Sequence, residues 1–224
     1  MFNRRNFLKT SVLLPIAIHP LFADNKVIQK LVQDNEHEFF DWLKKNHPSI
    51  RVLPWYKDVV NKIEDQTTQI ESIYKGRQIG MTDFVGYFFN YQKSKNKKCL
   101  AICHGGYGHH FVNIERNFAS INLHSPAARG SRWDYIYVDE AAYYSENLPV
   151  WILDSGAKII LASTDNERWP PTSMNLMSRL DHLARITIIS AEQGGLWSKD
   201  RLDEFSKYPI VTKSEIYGRR NVVA

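Results

Sequence analysis

Short apolar runs, separated by segments with helical spacing, constrain the fold of this chain most. They span residues 70–74, 99–103, 134–140, 157–164 and 185–190. Each is mostly a continuous apolar run rather than an alternating one, which is typical of parallel strands covered on both faces. Because helical segments alternate with these runs, the sequence predicts an α/β fold with a parallel sheet flanked by helices on both faces.

The helical segments fit one domain. Apolar residues recur at helical spacing in four segments: 25–46, from 53 onward, 82–91 and 111–121. The first of them is the predicted N-terminal helical segment. A last helix is predicted over 198–208, with Ser198 as its N-cap. With 224 residues, of which 43% are hydrophobic, the chain can bury a sizeable core and is not expected to be disordered. Cys99 and Cys103 are interpreted as buried thiols.

Residues 1–24 allow two interpretations. Arg4 and Arg5 precede the apolar stretch 12–23, a pattern similar to a twin-arginine export signal. The alternative is an N-terminal helix that packs on the domain. The apolar stretch is too short for a membrane-spanning helix, so no stable membrane span is expected.

Residues 74–83, YKGRQIGMTD, nearly match the phosphate-binding pattern G-x-x-x-x-G-K-[ST]. Gly80 and Thr82 keep its spacing, Gly76 comes one residue late, and Met81 stands where the lysine is expected. Backbone N–H groups of such a loop, with a helix N-terminus behind them, can hold phosphate oxygens. The Thr82 hydroxyl could bind Mg²⁺.

Two further strand ends carry polar side chains. Asp139 and Glu140 end one apolar run, and Ser163 and Thr164 end the next. Ligands of parallel sheets bind at the carboxyl ends of the strands. One carboxylate could hold Mg²⁺, the other could polarise an attacking water, and the hydroxyls could sense a γ-phosphate.

The segments KGRQIGMT, IYVDEAAYY and IILASTDN together resemble the ATPase domain of large terminase subunits, the DNA-packaging motors of tailed bacteriophages. The resemblance spans residues 53–218. It implies a P-loop NTPase-type domain over 25–218, a tail over 219–224, and ATP hydrolysis with Mg²⁺ that drives DNA into a capsid. Because six residues follow Gly218, nuclease activity is not expected from this chain.

The resemblance also implies a role for each site residue. It assigns Glu140 to catalysis, Ser163 and Thr164 to coupling of hydrolysis with movement, and Arg129 to a neighbour's nucleotide, with Arg132 as the rival. It assigns nucleotide binding to Tyr56, Lys75, Gly76, Arg77, Gln78, Gly80, Met81 and Thr82, and Mg²⁺ binding to Thr82 and Asp139. Tyr56 would contact adenine.

The missing loop lysine leaves two interpretations of activity. Lys75 or Arg77 could reach the same phosphate oxygens, because a lysine acts as a point charge. Otherwise the chain would be a catalytically weak or inactive terminase-like protein that binds DNA or a capsid partner.

Partners and location follow from the resemblance. It implies that the chain binds double-stranded DNA and assembles into a homo-oligomeric ring. The implied protein partners are the portal or capsid and a small terminase subunit or separate nuclease, and the implied location is the host cytoplasm. A net charge of +5 permits a polyanionic partner. The alternative is an exported protein whose nucleotide motifs are accidental.

The lysines of 93–98 and the histidines of 104–110 are interpreted without the resemblance. The lysine run 93–98 is either a solvated turn or a phosphate-binding patch. His104, His109 and His110 are interpreted as loop residues rather than metal ligands, because their spacing matches no known four-ligand shell.

Overall fold

The computed structural model describes residues 37–103, 119–121, 131–144, 147–164 and 175–207, and the chain divides between Glu36 and His37. The described helices are α1 (Glu38–Asn46), α2 (Tyr56–Glu64), α3 (Met81–Ser94), α4 (Val150–Leu153), α5 (Leu176–Leu180) and α6 (Lys199–Ser206), with a 3-10 helix at Ala141–Tyr143. The strands are β1 (Ile70–Lys75), β2 (Cys99–Ile102), β3 (Ala119–Ile121), β4 (Tyr135–Asp139), β5 (Lys158–Ser163) and β6 (Ala184–Ile189).

The strands form one sheet in the order β3-β2-β4-β5-β1-β6, and every neighbouring pair is parallel. β1, β2, β4 and β5 are buried along their whole length, as strands covered on both faces should be. β6 lies at an edge, where Ile186 and Ile188 are exposed and alternate with the buried Thr187 and Ile189. The predicted α/β fold with a parallel sheet is confirmed.

Helices cover both faces of this sheet. Successive strand residues point to opposite faces, so β4 contributes to two cores. Tyr135 and Tyr137 pack in the core that contains α1, α2 and α3. Ile136 and Val138 pack on the other face, together with Ile152 of α4 and the buried residues of α5.

The prediction of a helix over 111–121 is wrong for residues 119–121, the part that the structure describes. The expected helix 111–121 ends in strand β3, whose Ala119 is in register with Leu100 of β2. Apolar spacing is helical there, but pairing with the open edge of β2 satisfies the backbone groups, and tertiary pairing outweighs local propensity.

Other local expectations are met. The Arg201 N–H donates to Ser198 Oγ at 3.3 Å, so Ser198 caps α6 as predicted. Cys99 and Cys103 are buried, as expected. No described helix has the length and hydropathy that crossing a membrane requires. Arg4 and Arg5 lie outside the described residues, as does the tail 219–224.

A buried cluster of charges joins the amino ends of β1, β5 and β6. Lys158 Nζ lies 2.8 Å from Glu71 Oε1, and both side chains are almost fully buried. Arg185 Nε donates to both Glu71 carboxylate oxygens at 3.0 Å, and its guanidinium also pairs with Asp65. Lys158 further donates to the backbone carbonyls of Asp65 and Thr68. The two acidic groups, Glu71 and Asp65, balance the two basic groups, Lys158 and Arg185. Asp65 and Arg185 are partly exposed, so the interior holds only the paired charges of Glu71 and Lys158.

We expect Glu71→Gln to lower the free energy of unfolding by about 3–5 kcal/mol, because Lys158 would keep a buried charge without its counter-ion. Urea denaturation measures the change. The matched control is Asp58→Asn, which breaks the Lys62–Asp58 pair on the surface of α2, where the Asp58 side chain is 60% exposed. Its cost should stay within about 0.5 kcal/mol. Equal costs for the two variants would contradict the role of the cluster.

Candidate functional site

Three neighbouring strands bring the predicted motifs to one edge of the sheet. β4, β5 and β1 lie side by side, and their carboxyl ends lead into residues 139–140, 163–164 and 76–80. Asp139 is in register with Ala162, one residue before the end of β5. Motifs that are far apart in sequence therefore converge at one edge, as the sequence predicts.

The loop after β1 packs tightly against a turn that follows β6. The Gly76 N–H donates to the Ile189 carbonyl at 2.7 Å. A Cβ on Gly76 would lie 2.4 Å from the backbone N of Ala191, so a side chain has no room there. Similarly, a Cβ on Gly194 would lie 2.6 Å from Ile79 Cγ2. Two glycines thus permit the loop and the turn to meet.

The loop ends at the N-terminus of α3. Gln78 and Gly80 have φ angles of 54° and 77°, the left-handed region that favours glycine. Gly80 is the N-cap of the 14-residue helix, so the first N–H groups of α3 face the loop region with a partial positive charge. Arg77 and Gln78 expose their side chains. This arrangement suits an anion.

Lys75, Glu140 and Ser163 form a hydrogen-bonded group across three strands. Lys75 Nζ lies 2.8 Å from Glu140 Oε1, and Ser163 Oγ donates to Glu140 Oε2 at 2.9 Å. Lys75 is only 6% exposed. Glu140 itself has a φ of 49°, a conformation that non-glycine residues adopt mainly where the surrounding structure enforces it. The sequence did not predict that Lys75 contacts Glu140.

Asp139 is buried beside this group. The Tyr137 hydroxyl donates to Asp139 Oδ1 at 2.7 Å, and Thr82 Oγ1 lies 3.5 Å from Asp139 Oδ2. Burial raises the pKa of Asp139, and the adjacent Glu140 carboxylate raises it further, against the opposing effects of Tyr137 and Lys75. The sequence analysis did not identify Tyr137 as a site residue. Strand periodicity could have found it, because residues two positions apart in a strand point to the same face of the sheet.

Met81 occupies the position where the phosphate-loop pattern has lysine. Its side chain is 2% exposed and packs in the same core as Ile79 and Phe84. An ammonium group at this position would be buried among apolar residues, which is costly. Met81 therefore has a packing role in the core, and its predicted contact with nucleotide stays a prediction.

Tyr56 lies in the core. It is 3% exposed, and its ring centroid lies 4.6 Å from that of Trp55 and 4.7 Å from that of Phe84. Burial raises the pKa of its hydroxyl, and the Asp83 carboxylate raises it further. The structure shows a packing role for Tyr56, and its contact with adenine stays a prediction.

The remaining predicted residues divide between the described and the undescribed parts of the chain. Arg129 lies outside the described residues, as do the histidines of 104–110. Arg132, its rival, is described and exposed. Thr164 is half-buried, and its backbone carbonyl oxygen lies 3.0 Å from Ser163 Oγ, as an alternative acceptor to Glu140 for the single hydroxyl hydrogen.

The oxygen atoms at this edge fit Mg²⁺ bound together with a phosphate. Within the described parts of the chain, no group of three or more His, Cys, Asp or Glu side chains is arranged to hold a metal. Mg²⁺, however, commonly takes one or two carboxylates and completes its shell with waters and phosphate oxygens. Thr82 and Asp139 supply a hydroxyl and a carboxylate of this kind.

Comparison with known proteins gives no family for this chain. No family model matches it, and no curated protein matches it. The interpretation of the site therefore depends on its own geometry and on its motifs.

We expect Asp139→Asn to raise the free energy of unfolding at neutral pH in metal-free buffer. Because the folded-state pKa of Asp139 is raised, ionising it costs free energy in the folded state. The cost is absent below the unfolded-state pKa, near 3.8, and grows as pH rises towards the folded-state pKa. The gain of the variant over wild type should grow over the same range, as measured by urea denaturation at several pH values.

Asp134→Asn is the matched control with the opposite sign. Burial raises the pKa of Asp134, but hydrogen bonds from the Lys98 backbone and the Lys97 side chain outweigh burial and lower it overall. The ionised carboxylate therefore stabilises the fold above its unfolded-state pKa, and this contribution is lost as pH falls through the folded-state pKa. Asp134→Asn should be destabilising at neutral pH. Changes of the same sign in both variants would contradict the assignment for Asp139.

Proposed function

We propose that this chain is a Mg²⁺-dependent ATPase with a P-loop NTPase-type domain. The observation that carries the proposal is the contact of Lys75 and Ser163 with Glu140, beside a glycine-containing loop that opens a helix. A cation, an activating carboxylate and an anion-binding loop at one edge of a parallel sheet are the parts that phosphoryl transfer needs.

The loop and Lys75 would bind the phosphates. Backbone N–H groups at the N-terminus of α3 offer donors to phosphate oxygens. The Lys75 ammonium lies at the start of the same loop, and it would exchange Glu140 Oε1 for a β- or γ-phosphate oxygen. Exposed Arg77 could assist from the loop surface.

Glu140 would act on the attacking water. Once Lys75 turns to phosphate, Glu140 keeps its hydrogen bond from Ser163, which orients the carboxylate. Thr82 and Asp139 would hold Mg²⁺, which when bound offsets the charge on the phosphates. The Tyr137 hydroxyl fixes the orientation of Asp139.

We further propose that hydrolysis drives translocation of double-stranded DNA into a capsid, as in the terminases that the motifs resemble. Arg129 from a neighbouring subunit of a homo-oligomeric ring would then complete the site, and Ser163 and Thr164 would couple hydrolysis to movement. The portal, a small terminase subunit and a separate nuclease are the partners of this role, in the host cytoplasm where ATP is available. The order of the motifs along the chain supports this role.

A second candidate function is nucleotide or DNA binding without turnover. The observation that favours it is the closed Lys75–Glu140 pair: a phosphate must displace a carboxylate from a nearly buried ammonium before it can bind. Measuring nucleotide binding and phosphate release on the same preparation separates the two functions.

We expect Glu140→Gln to reduce ATP hydrolysis by about a hundredfold or more, because the amide cannot accept a proton from water. ATP binding should be kept or improved, since Lys75 loses its competing carboxylate. Steady-state phosphate release and equilibrium binding give the two values. Glu204→Gln, on exposed α6, is the matched control and should change neither. Unchanged turnover in Glu140→Gln would refute the catalytic assignment.

We expect Lys75→Met to weaken ATP binding about tenfold or more, because a charge-assisted hydrogen bond to phosphate is lost while the buried stem is kept. Met81→Leu keeps an apolar side chain in the core and should change ATP affinity far less. Calorimetric titration compares the variants. If Met81→Leu had the larger effect, Lys75 would not be the phosphate-binding lysine.

A further inference from the structure

The turn after β6, residues 190–196, borders the loop after β1 along its length. Its first part packs so closely on Gly76 and Ile79 that glycine is required at the contacts. At its end, Leu196 Cδ1 lies 3.7 Å from the point where a Cβ on Gly80 would stand. Because Gly80 is the N-cap of α3, this contact brings Leu196 to the N-terminus of that helix.

Hydrogen bonds within this turn define its backbone. The Ser190 N–H donates to Gln193 Oε1 at 2.9 Å, and the Gln193 N–H donates to Ser190 Oγ at 3.1 Å. The Gly194 N–H donates to the Ser190 carbonyl at 2.8 Å. Side-chain bonds of this kind are what stabilise a tight turn, so the approach of Leu196 to the loop after β1 is set by local structure.

Apolar side chains are exposed beside the N-terminus of α3. Leu196 is 50% exposed. Pro54 is also exposed, and its Cδ lies 3.1 Å from the point where a Cβ on Gly195 would stand. Leu53 Cδ1 lies 3.8 Å from the corresponding point on Gly80 and belongs to the core. We call the exposed pair, Leu196 and Pro54, the apolar wall.

Tyr56, the residue predicted to contact adenine, offers no comparable surface. It is 3% exposed, and its ring packs against those of Trp55 and Phe84. A base could reach this ring only if the core opened, which would expose apolar surface to water. Leu196 and Pro54 are accessible without any such change.

The place of Glu140 sets the direction of a bound nucleotide. In the proposed function Glu140 acts on the attacking water, and in phosphoryl transfer the attacking and leaving oxygens lie roughly in line. The leaving diphosphate then points away from Glu140. Glu140 follows β4, Lys75 ends β1, and β6 lies beyond β1 in the sheet. The rest of the nucleotide therefore extends towards the side of β6, where Leu196 lies.

We propose that the apolar wall binds the base of the nucleotide whose phosphates lie at the loop after β1. Leu196 would cover one face of the base, and the contact would remove apolar surface of both from water. This inference rests on the proposed ATPase function, because it takes the phosphates to lie between Lys75 and the N-terminus of α3. It adds a base-binding residue, Leu196, that neither the motifs nor the spacing of the sequence indicated.

The test compares a non-hydrolysable ATP analogue with inorganic tripolyphosphate, each with Mg²⁺, by calorimetric titration of the full chain. Leu196→Ala should weaken binding of the analogue about tenfold and leave tripolyphosphate binding unchanged, because only the base contacts the leucine. Leu196→Met keeps an apolar side chain of similar volume and should retain most of the affinity. Leu183→Ala, the matched control, removes a leucine that is 57% exposed just before β6 and should change neither affinity.

The two ligands separate failure of this inference from failure of the proposed function. A wild-type chain that binds neither ligand refutes the proposed function and this inference with it. If wild type binds both ligands and Lys75→Met weakens both, equal affinity of wild type and Leu196→Ala for the analogue refutes this inference alone. Equal losses of both ligands in Leu196→Ala also refute it, because the leucine would then act through the loop.

Photolabelling locates the base directly. Ultraviolet light couples an ATP that carries an azido group on its base to the residues beside that base, and peptide mapping identifies them. Labelling within 190–196 or at Pro54, prevented by excess ATP, supports the proposal. Labelling confined to Tyr56 and its core neighbours, or to the β4 side of the site, overturns it.

Discussion

The buried ion cluster of Glu71, Lys158 and Arg185 is the constraint on which the register of the sheet depends. Each residue sits near the amino end of a different strand. Glu71 and Lys158 are almost fully buried and pair with each other, and Arg185, whose side chain is 27% exposed, pairs with Glu71 from β6. A slip of one residue between β1 and β5 would leave a charge unpaired in the interior. Because these strands are parallel, fixing their amino ends also fixes their carboxyl ends, where Lys75 and Ser163 lie.

At the carboxyl ends of the strands the charges of the described site residues do not balance. Asp139 and Glu140 are consecutive carboxylates, and Lys75 pairs with only the second of them. Burial and the neighbouring Glu140 carboxylate raise the pKa of Asp139, although the hydrogen bond from the Tyr137 hydroxyl opposes this shift. The ion cluster at the amino ends of β1, β5 and β6 is charge-balanced, whereas at the carboxyl edge the described carboxylates Asp139 and Glu140 share one ion-paired ammonium, Lys75, which leaves an excess of negative charge in this group. A bound divalent cation would relieve that excess, which supports the proposed Mg²⁺ site.

The sequence predicts the strands and their polar ends because both are local patterns: an apolar run identifies a buried strand, and the residue after it lies at the sheet edge. It does not predict that β5 lies between β4 and β1, since strand order depends on contacts between distant residues. Strand β3 is not predicted either, because it forms by pairing with β2, which is distant in the sequence. Met81 shows a different limit, because the motif pattern does not reveal that the side chain at this position packs in the core. Strand periodicity alone would have predicted that Tyr137 lies on the same face of the sheet as Asp139.

The Lys75–Glu140 pair links the two halves of the proposed chemistry. Lys75 ends β1 and Glu140 follows β4, so their ion pair crosses the end of β5, where Ser163 holds the second carboxylate oxygen. An anion that takes the ammonium removes one of the two groups that hold Glu140 and leaves the other. Phosphate binding and the freedom of Glu140 to polarise water are then controlled by one contact. In the proposed function, Lys75 would hold the Glu140 carboxylate until a phosphate takes its ammonium group, and the place of Lys75 at the end of β1 is what brings it within reach of Glu140.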